Sequence, residues 1–185
     1  MIRAFIAITP PPMLQRAFRE VETALQVLPV RWVKPEQVHL TLKFLGNVSV
    51  EQVVSIRQAL EHAACDMAPF TVGAQSLGCF PNASRPRILW MGLDDPRQAL
   101  AGLQQRVEAA LSALGFAPEA RPFRPHLTLA RFQEGRRVSQ LLSLLQVYQE
   151  RVFGDIPVTQ VHLFQSQLRR EGVLYTIIHS VTLLA

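Results

Sequence analysis

Apolar and polar positions change their spacing several times along the chain, and each change marks a new element. Residues 3 to 8, RAFIAI, are apolar and alternate only weakly, as in a buried strand, and Pro10-Pro11-Pro12 stops it. From Met13 to Leu28, apolar residues fall at Leu14, Ala17, Phe18, Val21, Leu25 and Leu28, a spacing that predicts a helix. A short strand over Val30 to Val33 leads through Lys34-Pro35 into VHLTLKFLG, whose alternation predicts a second strand, ended by Gly46-Asn47. Ser49 then suits the N-cap of a helix from Val50 to about Ala64.

Phe70 to Leu77 and Arg87 to Leu93 read as strands on either side of the loop GCFPNASRP. A helix follows from about Pro96 to Leu114, stopped by Gly115, and the proline-broken FAPEARPFRP approaches another alternating stretch, HLTLAR. A short helix around Val138 to Val147 and two strands, Val158 to Leu168 and Val173 to Leu183, complete the chain, with a hairpin turn over Arg169 to Gly172. This order predicts an α+β fold: one domain over residues 1–185, made of two similar lobes that share a groove.

The tetrapeptide His-Leu-Thr-Leu stands at 39–42 and again at 126–129, about half the 185-residue chain apart. In a strand, His39, Thr41 and Lys43 share one face, and Leu40, Leu42 and Phe44 the other. His126 and Thr128 pair in the same way, with Leu127 and Leu129 entering the core. A single His-x-Thr on a strand is ordinary. A duplicated core strand needs to keep its leucines, but it has no structural need to keep histidine and threonine on the polar face. Two facing imidazoles can act as a concerted acid and base, because the unperturbed histidine pKa of about 6.5 lies near working pH. The hydroxyls of Thr41 and Thr128, with nearby backbone N–H groups, can hold the non-bridging oxygens of a phosphate. No carboxylate stands beside either motif to complete a metal site, so neither metal nor cofactor is expected.

The composition adds little and contradicts nothing. The hydrophobic fraction of 49% supports a globular core, and no apolar run approaches the roughly 18 residues of a membrane span. Cys65 and Cys79 are too few for a disulfide framework, and MIRAFIAITPPPM does not read as a signal peptide, so a cytoplasmic protein with reduced thiols is expected. The net charge of +5 rests on arginine far more than lysine, compatible with a nucleotide or nucleic-acid substrate. Arg85, Arg87, Arg121 and Arg124 crowd the loops near the motifs and are candidates to steer RNA. Trp90, in RILWMGL, reads as a buried strand residue, and His62, His162 and His179 as surface or structural histidines.

The paired HLTL motifs, the FIAI opening, GCFP followed by PRILW, and the late strand whose serine precedes a Gly-Tyr hairpin resemble the 2H phosphoesterases. They are most similar to the branch of RNA 2′,3′-cyclic phosphodiesterases also called 2′-5′ RNA ligases. The resemblance implies two pseudo-symmetric α+β lobes, with antiparallel sheets lining a central groove and helices outside. It implies His39 and His126 as catalytic residues, Thr41 and Thr128 as phosphate ligands, and metal-free opening of a terminal cyclic phosphate to a 2′-phosphomonoester. That product needs an acid beside O3′, assigned to His39, with His126 as base, although near-symmetry leaves the exchange open. Five residues after each histidine, Phe44 is implied as an aromatic contact to the base and Arg131 as a phosphate or base contact. Strict alternation puts both on the core face, so either the strands bulge or Phe44 is core; Arg131 is favoured because a buried unpaired guanidinium is costly. The implied partners are RNA ends or cyclic nucleotides, with no obligate protein partner, and a monomer is expected. Reversible 2′-5′ ligation, another cyclic nucleotide phosphate, and a non-catalytic RNA or nucleotide binding module are the alternatives.

Overall fold

The computed structural model describes residues 1–133, 138, 140–170 and 172–184. Along them run β1 (Ile2–Ile8), α1 (Leu14–Ala24), β2 (Val30–Trp32), a 3₁₀ turn (Pro35–Gln37), β3 (Leu40–Val48), α2 (Val50–Ala64), β4 (Phe70–Phe80) and β5 (Ile88–Asp94). Then follow α3 (Ala99–Ser112), β6 (His126–Phe132), α4 (Leu141–Gln146), β7 (Val152–Val158), β8 (Gln160–Arg169) and β9 (Gly172–Thr182). The strands form one antiparallel sheet in the order β7-β4-β5-β6-β3-β1-β8-β9, with β2 added beside β6. The two HLTL strands, β3 and β6, meet at the centre through a single register pair, Leu40 with Leu127. These leucines hold the same place in the two motifs, so the halves of the sheet are related by an approximate twofold passing between them.

The larger core packs α1, α2 and α3 against one face of the sheet, through residues such as Leu14, Phe18, Ile56, Leu60, Leu103 and Val107. A separate small cluster of Phe5, Ala7 and Phe164, with Tyr175 against it, lies on the other face. Strand β1 contributes to both: Ala4, Ile6 and Ile8 belong to the helix side, Phe5 and Ala7 to the other. This two-sided burial explains its nearly unbroken apolar run. Helix α2 starts as the sequence predicts, with a capping box in which the Ser49 side chain accepts from the Gln52 N–H and the Gln52 side chain accepts from the Ser49 N–H.

Three expectations about the elements need correction. Strand β3 does not end at Gly46-Asn47 but pairs with β1 as far as Val48, because an extra residue at Leu45 and a left-handed Gly46 (φ +72°) bend the strand without breaking it. Strand β7 was not expected at all: Gly154, Asp155 and Pro157 interrupt its apolar pattern, which an edge strand tolerates since it needs only one bonded side. The expected helix over 138–147 is shorter, Leu141–Gln146, and part of its start lies outside the described residues.

Lys43 is a further correction. Alternation puts it on the polar face with His39 and Thr41, but it is buried at 5% exposure. Its ammonium donates to Glu108 at 2.6 Å and to the Ala117 carbonyl at 2.9 Å, tying β3 to α3. Burial is tolerable because both partners are in place; an ammonium left without its carboxylate is not. Replacing Glu108→Ala is expected to cost about 3–5 kcal/mol of unfolding free energy, most of it recovered in a Lys43→Met/Glu108→Leu double variant. Urea unfolding of the three proteins measures both effects, and a cost under about 1 kcal/mol in the single variant would refute this account.

Candidate active site

The site begins with a repeated irregularity. In β3, Thr41 pairs with Ala7 and Lys43 with Ile6, leaving Leu42 unpaired. In β6, Thr128 pairs with Trp90 and Ala130 with Leu89, leaving Leu129 unpaired. The second leucine of each HLTL is therefore a β-bulge, and it shifts the alternation by one place. Leu42 and Lys43 both turn to the core, as do Leu129 and Ala130. Phe44, 67% exposed, and Arg131, also exposed, turn to the face that carries the histidines and threonines. Strict alternation was the wrong rule for both positions; the bulge brings each onto the groove.

The two imidazoles are fixed alike. His39 donates its Nδ1–H to the carbonyl of Gln37 at 2.8 Å, and His126 donates its Nδ1–H to the carbonyl of Arg124 at 2.7 Å. A carbonyl can only accept, so both rings keep Nε2 for proton exchange with a ligand. The single register pair between the two strands, Leu40 with Leu127, brings the two motifs side by side at the centre of the sheet.

Aromatic rings hold both histidines. His39 packs against Phe5, with ring centroids 4.7 Å apart, and meets the edge of Tyr175 at 5.0 Å. Gln37 supports this wall twice, since its carbonyl takes the His39 proton while its side chain donates to the Val173 carbonyl at 2.7 Å. His126 meets Phe80 edge-on at 5.0 Å, and Phe80 in turn contacts Trp90 at 5.3 Å. Trp90 is not a core residue. It shares the groove face, its indole lying so close over Gly78 that a side chain there would start 2.2 Å from the ring. Beside His126 opens a pocket of about 370 Å³, lined by Gln75, Ser76, Phe80, Trp90, Phe123 and Arg124 among others.

Electrostatics separates the two histidines. Burial lowers the pKa of His39; the bond to Gln37 partly offsets this, and the positive charges of Arg131 and His126 lower it further. For His126, burial lowers the pKa and the Arg124 carbonyl opposes it. Of the remaining histidines, His162 is buried on the groove face and hydrogen-bonded to Ser180 at 2.8 Å, while His62 is exposed. His179 stands 3.2 Å from Glu61. Sequence reasoning overlooked the backbone carbonyls of Gln37 and Arg124; a carbonyl carries no residue-type signal. Among the described residues, no group of three or more His, Cys, Asp or Glu stands together that could hold a metal ion, and no helix is long and apolar enough to cross a membrane.

The sheet, its central pair of His-x-Thr strands and the groove between its halves define a 2H phosphoesterase. The family model described as LigT like phosphoesterase matches residues 6–90 and 92–175, one HLTL in each segment, and the chain belongs to that family. An Aeropyrum pernix protein named RNA 2′,3′-cyclic phosphodiesterase is 34% identical over 83% of this chain and 86% of its own length. The crystal structure of TT0787 from Thermus thermophilus superposes with a TM-score of 0.80 at 28% identity, covering 98% of this chain and 97% of that one. Escherichia coli LigT complexed with 3′-AMP shares the fold, with a TM-score of 0.81 at 24% identity over 100% of this chain and 99% of that one.

The sign of the Arg131 effect is testable. A guanidinium disfavours a nearby imidazolium, so Arg131→Gln is expected to raise the His39 pKa and leave His126 nearly unmoved. Histidine ring resonances followed by NMR across a pH titration measure this; an unmoved or lowered His39 would show that the charge does not reach the ring.

Proposed function

We propose that the protein opens terminal 2′,3′-cyclic phosphates on RNA to 2′-phosphomonoesters, with His39 and His126 as the acid–base pair. The observation that carries this reading is the duplicated arrangement itself: two imidazoles, each held through Nδ1 by the carbonyl two residues before it, on strands that meet at the centre of the sheet. The name of the Aeropyrum relative supports the choice of substrate. Residues 1–185 act as one domain of two intertwined lobes, a reading supported by β1, which pairs with β8 from the far end of the chain. The protein works as a monomer in the cytoplasm, a compartment in which Cys65 and Cys79 stay free thiols.

The cyclic phosphate sits between the two histidines, its non-bridging oxygens taken by Thr41, Thr128 and Arg131. His126 Nε2 accepts a proton from a water as that water attacks phosphorus in line with the O3′ bond. The P–O3′ bond breaks, and His39 Nε2–H gives its proton to O3′, leaving the phosphate on O2′. Afterwards His126 gives its proton to solvent and His39 takes one up from solvent, which returns the pair to its starting state. In the free protein burial, with the charges of Arg131 and His126, lowers the His39 pKa and favours its neutral form. The bound phosphate neutralises Arg131 and adds a negative charge of its own, so His39 gains its proton when substrate arrives. Phe44 and the pocket beside His126 take the terminal base.

Turnover of a short RNA ending in a 2′,3′-cyclic phosphate is expected in EDTA, with a 2′-phosphate product. His39→Ala and His126→Ala should each lose at least about 100-fold in kcat. Loss of activity to the chelator would contradict the mechanism, and a 3′-phosphate product would place the acid at O2′. Binding of the RNA unchanged in both variants, with no turnover by any protein, would make this a binding module.

The same charge argument fixes a pH dependence. The bell in kcat/KM reports the free protein, where both histidines titrate below about 6.5, so its optimum lies on the acid side of that value. The bell in kcat reports the complex, where phosphate has raised His39, so its optimum lies at higher pH. Coincident optima would sink the idea that substrate charges the acid.

A further inference from the structure

Strand β2 was added to the sheet for a reason the cyclic phosphate does not use. Its register against β6 places Arg31 directly opposite Arg131. Val30, Trp32 and Phe132 pack on the core, so both arginines point to the groove face, and both are exposed. Like charges directly opposite on antiparallel strands are unfavourable, and neither guanidinium has a carboxylate partner among the described residues. Arg31 extends away from β2 toward the other half of the molecule: its guanidinium ends 3.8 Å from where a side chain at Gly172, in the β8–β9 turn, would begin. It therefore stands at the end of the groove that Arg131 and His39 share, away from the pocket beside His126.

We propose that Arg31, beside the Arg131 that meets the cyclic phosphate, forms a second anion site, which holds the phosphodiester on the 5′ side of the terminal nucleotide while the cyclic phosphate lies between the histidines. This rests on the phosphodiesterase reading and extends it by giving the substrate a direction: base toward Trp90 and the pocket beside His126, RNA strand leaving past β2. The chemistry fits a phosphodiester because a second anion at Arg31 offsets the repulsion between the two facing guanidiniums, and the Arg31 fork donates charge-assisted hydrogen bonds to it. A mononucleoside cyclic phosphate has no group for this site, so the protein distinguishes an RNA end from a free cyclic nucleotide there.

The test compares uridine 2′,3′-cyclic phosphate with a short oligoribonucleotide ending in the same group, using the full chain and Arg31→Gln. The variant is expected to lose about tenfold more kcat/KM on the oligomer than on the mononucleotide, the scale of one charged hydrogen-bond partner. Its salt dependence on the oligomer should be shallower by about one phosphate contact, and Arg31→Lys should restore the salt slope. Thermal stability of Arg31→Gln should equal or exceed that of the unaltered chain, because the like-charge pair is gone. Equal losses on the two substrates, or no loss on either, would overturn the site. If the unaltered protein turns over neither substrate, the phosphodiesterase reading fails by itself; affinity for the uncleaved oligomer and its salt slope, compared between the unaltered chain and Arg31→Gln, then decide the anion site.

Discussion

A strand repeats every two residues, and that period alone cannot put a histidine, the threonine two places on and the residue five places on onto one face. One extra residue makes it possible. The bulges at Leu42 and Leu129 supply it in both copies, and the rest of the groove depends on them. They turn Phe44 and Arg131 outward and send Lys43 and Ala130 inward. In one copy the inward residue is small; in the other it is a lysine, and the ion pair with Glu108 answers the cost of burying it. The bulge in β3 is thus coupled to the packing of α3, and the surface presented to substrate is coupled to the core beneath.

That geometry also sets the charges. With Nδ1 of each ring committed to a backbone carbonyl, tautomer and orientation are settled before any ligand arrives. The aromatic rings around His39 and His126 bury them and favour the neutral form, which suits a base and disarms an acid. Arg131 adds to this only while its charge is unmatched. In the mechanism proposed above, a phosphate in the groove changes the sign of the local field and so completes the acid.

Much of this was legible in the chain, and the exceptions share a physical cause. Long periodic segments such as α2, with Ser49 as its cap, and the duplicated HLTL announced themselves because their spacing follows the backbone. Strand β7 escaped because Gly154, Asp155 and Pro157 suit an edge and erase the apolar pattern. The faces of Phe44, Arg131 and Lys43 escaped because a bulge is a property of two strands, and one strand's sequence does not contain its partner's register. Trp90 escaped in the same way: only the pairing of Trp90 with Gly78 shows a large ring laid over a residue with no side chain. The resemblance to the 2H phosphoesterases pointed to the histidines and threonines as the candidate site, but the carbonyls of Gln37 and Arg124 that orient those histidines required the fold.

A twofold scaffold offers two equal histidines, whereas the reaction needs two unequal ones. The asymmetry must come from neighbours that the duplication no longer keeps alike. Phe44 and Arg131 hold the same place after their histidines, yet one is an apolar ring and the other a cation. Ala7 and Trp90 pair with the two threonines, yet one is a methyl group and the other an indole. The differences are complementary across the groove, because the cation lies near His39 while the indole and the pocket lie beside His126. One end therefore attracts anions and the other accepts a flat ring. A nucleotide has this polarity, with phosphate and base at opposite ends of its sugar, so under the proposed function one direction of entry into the near-symmetric groove is favoured, and that direction decides which imidazole meets the leaving oxygen.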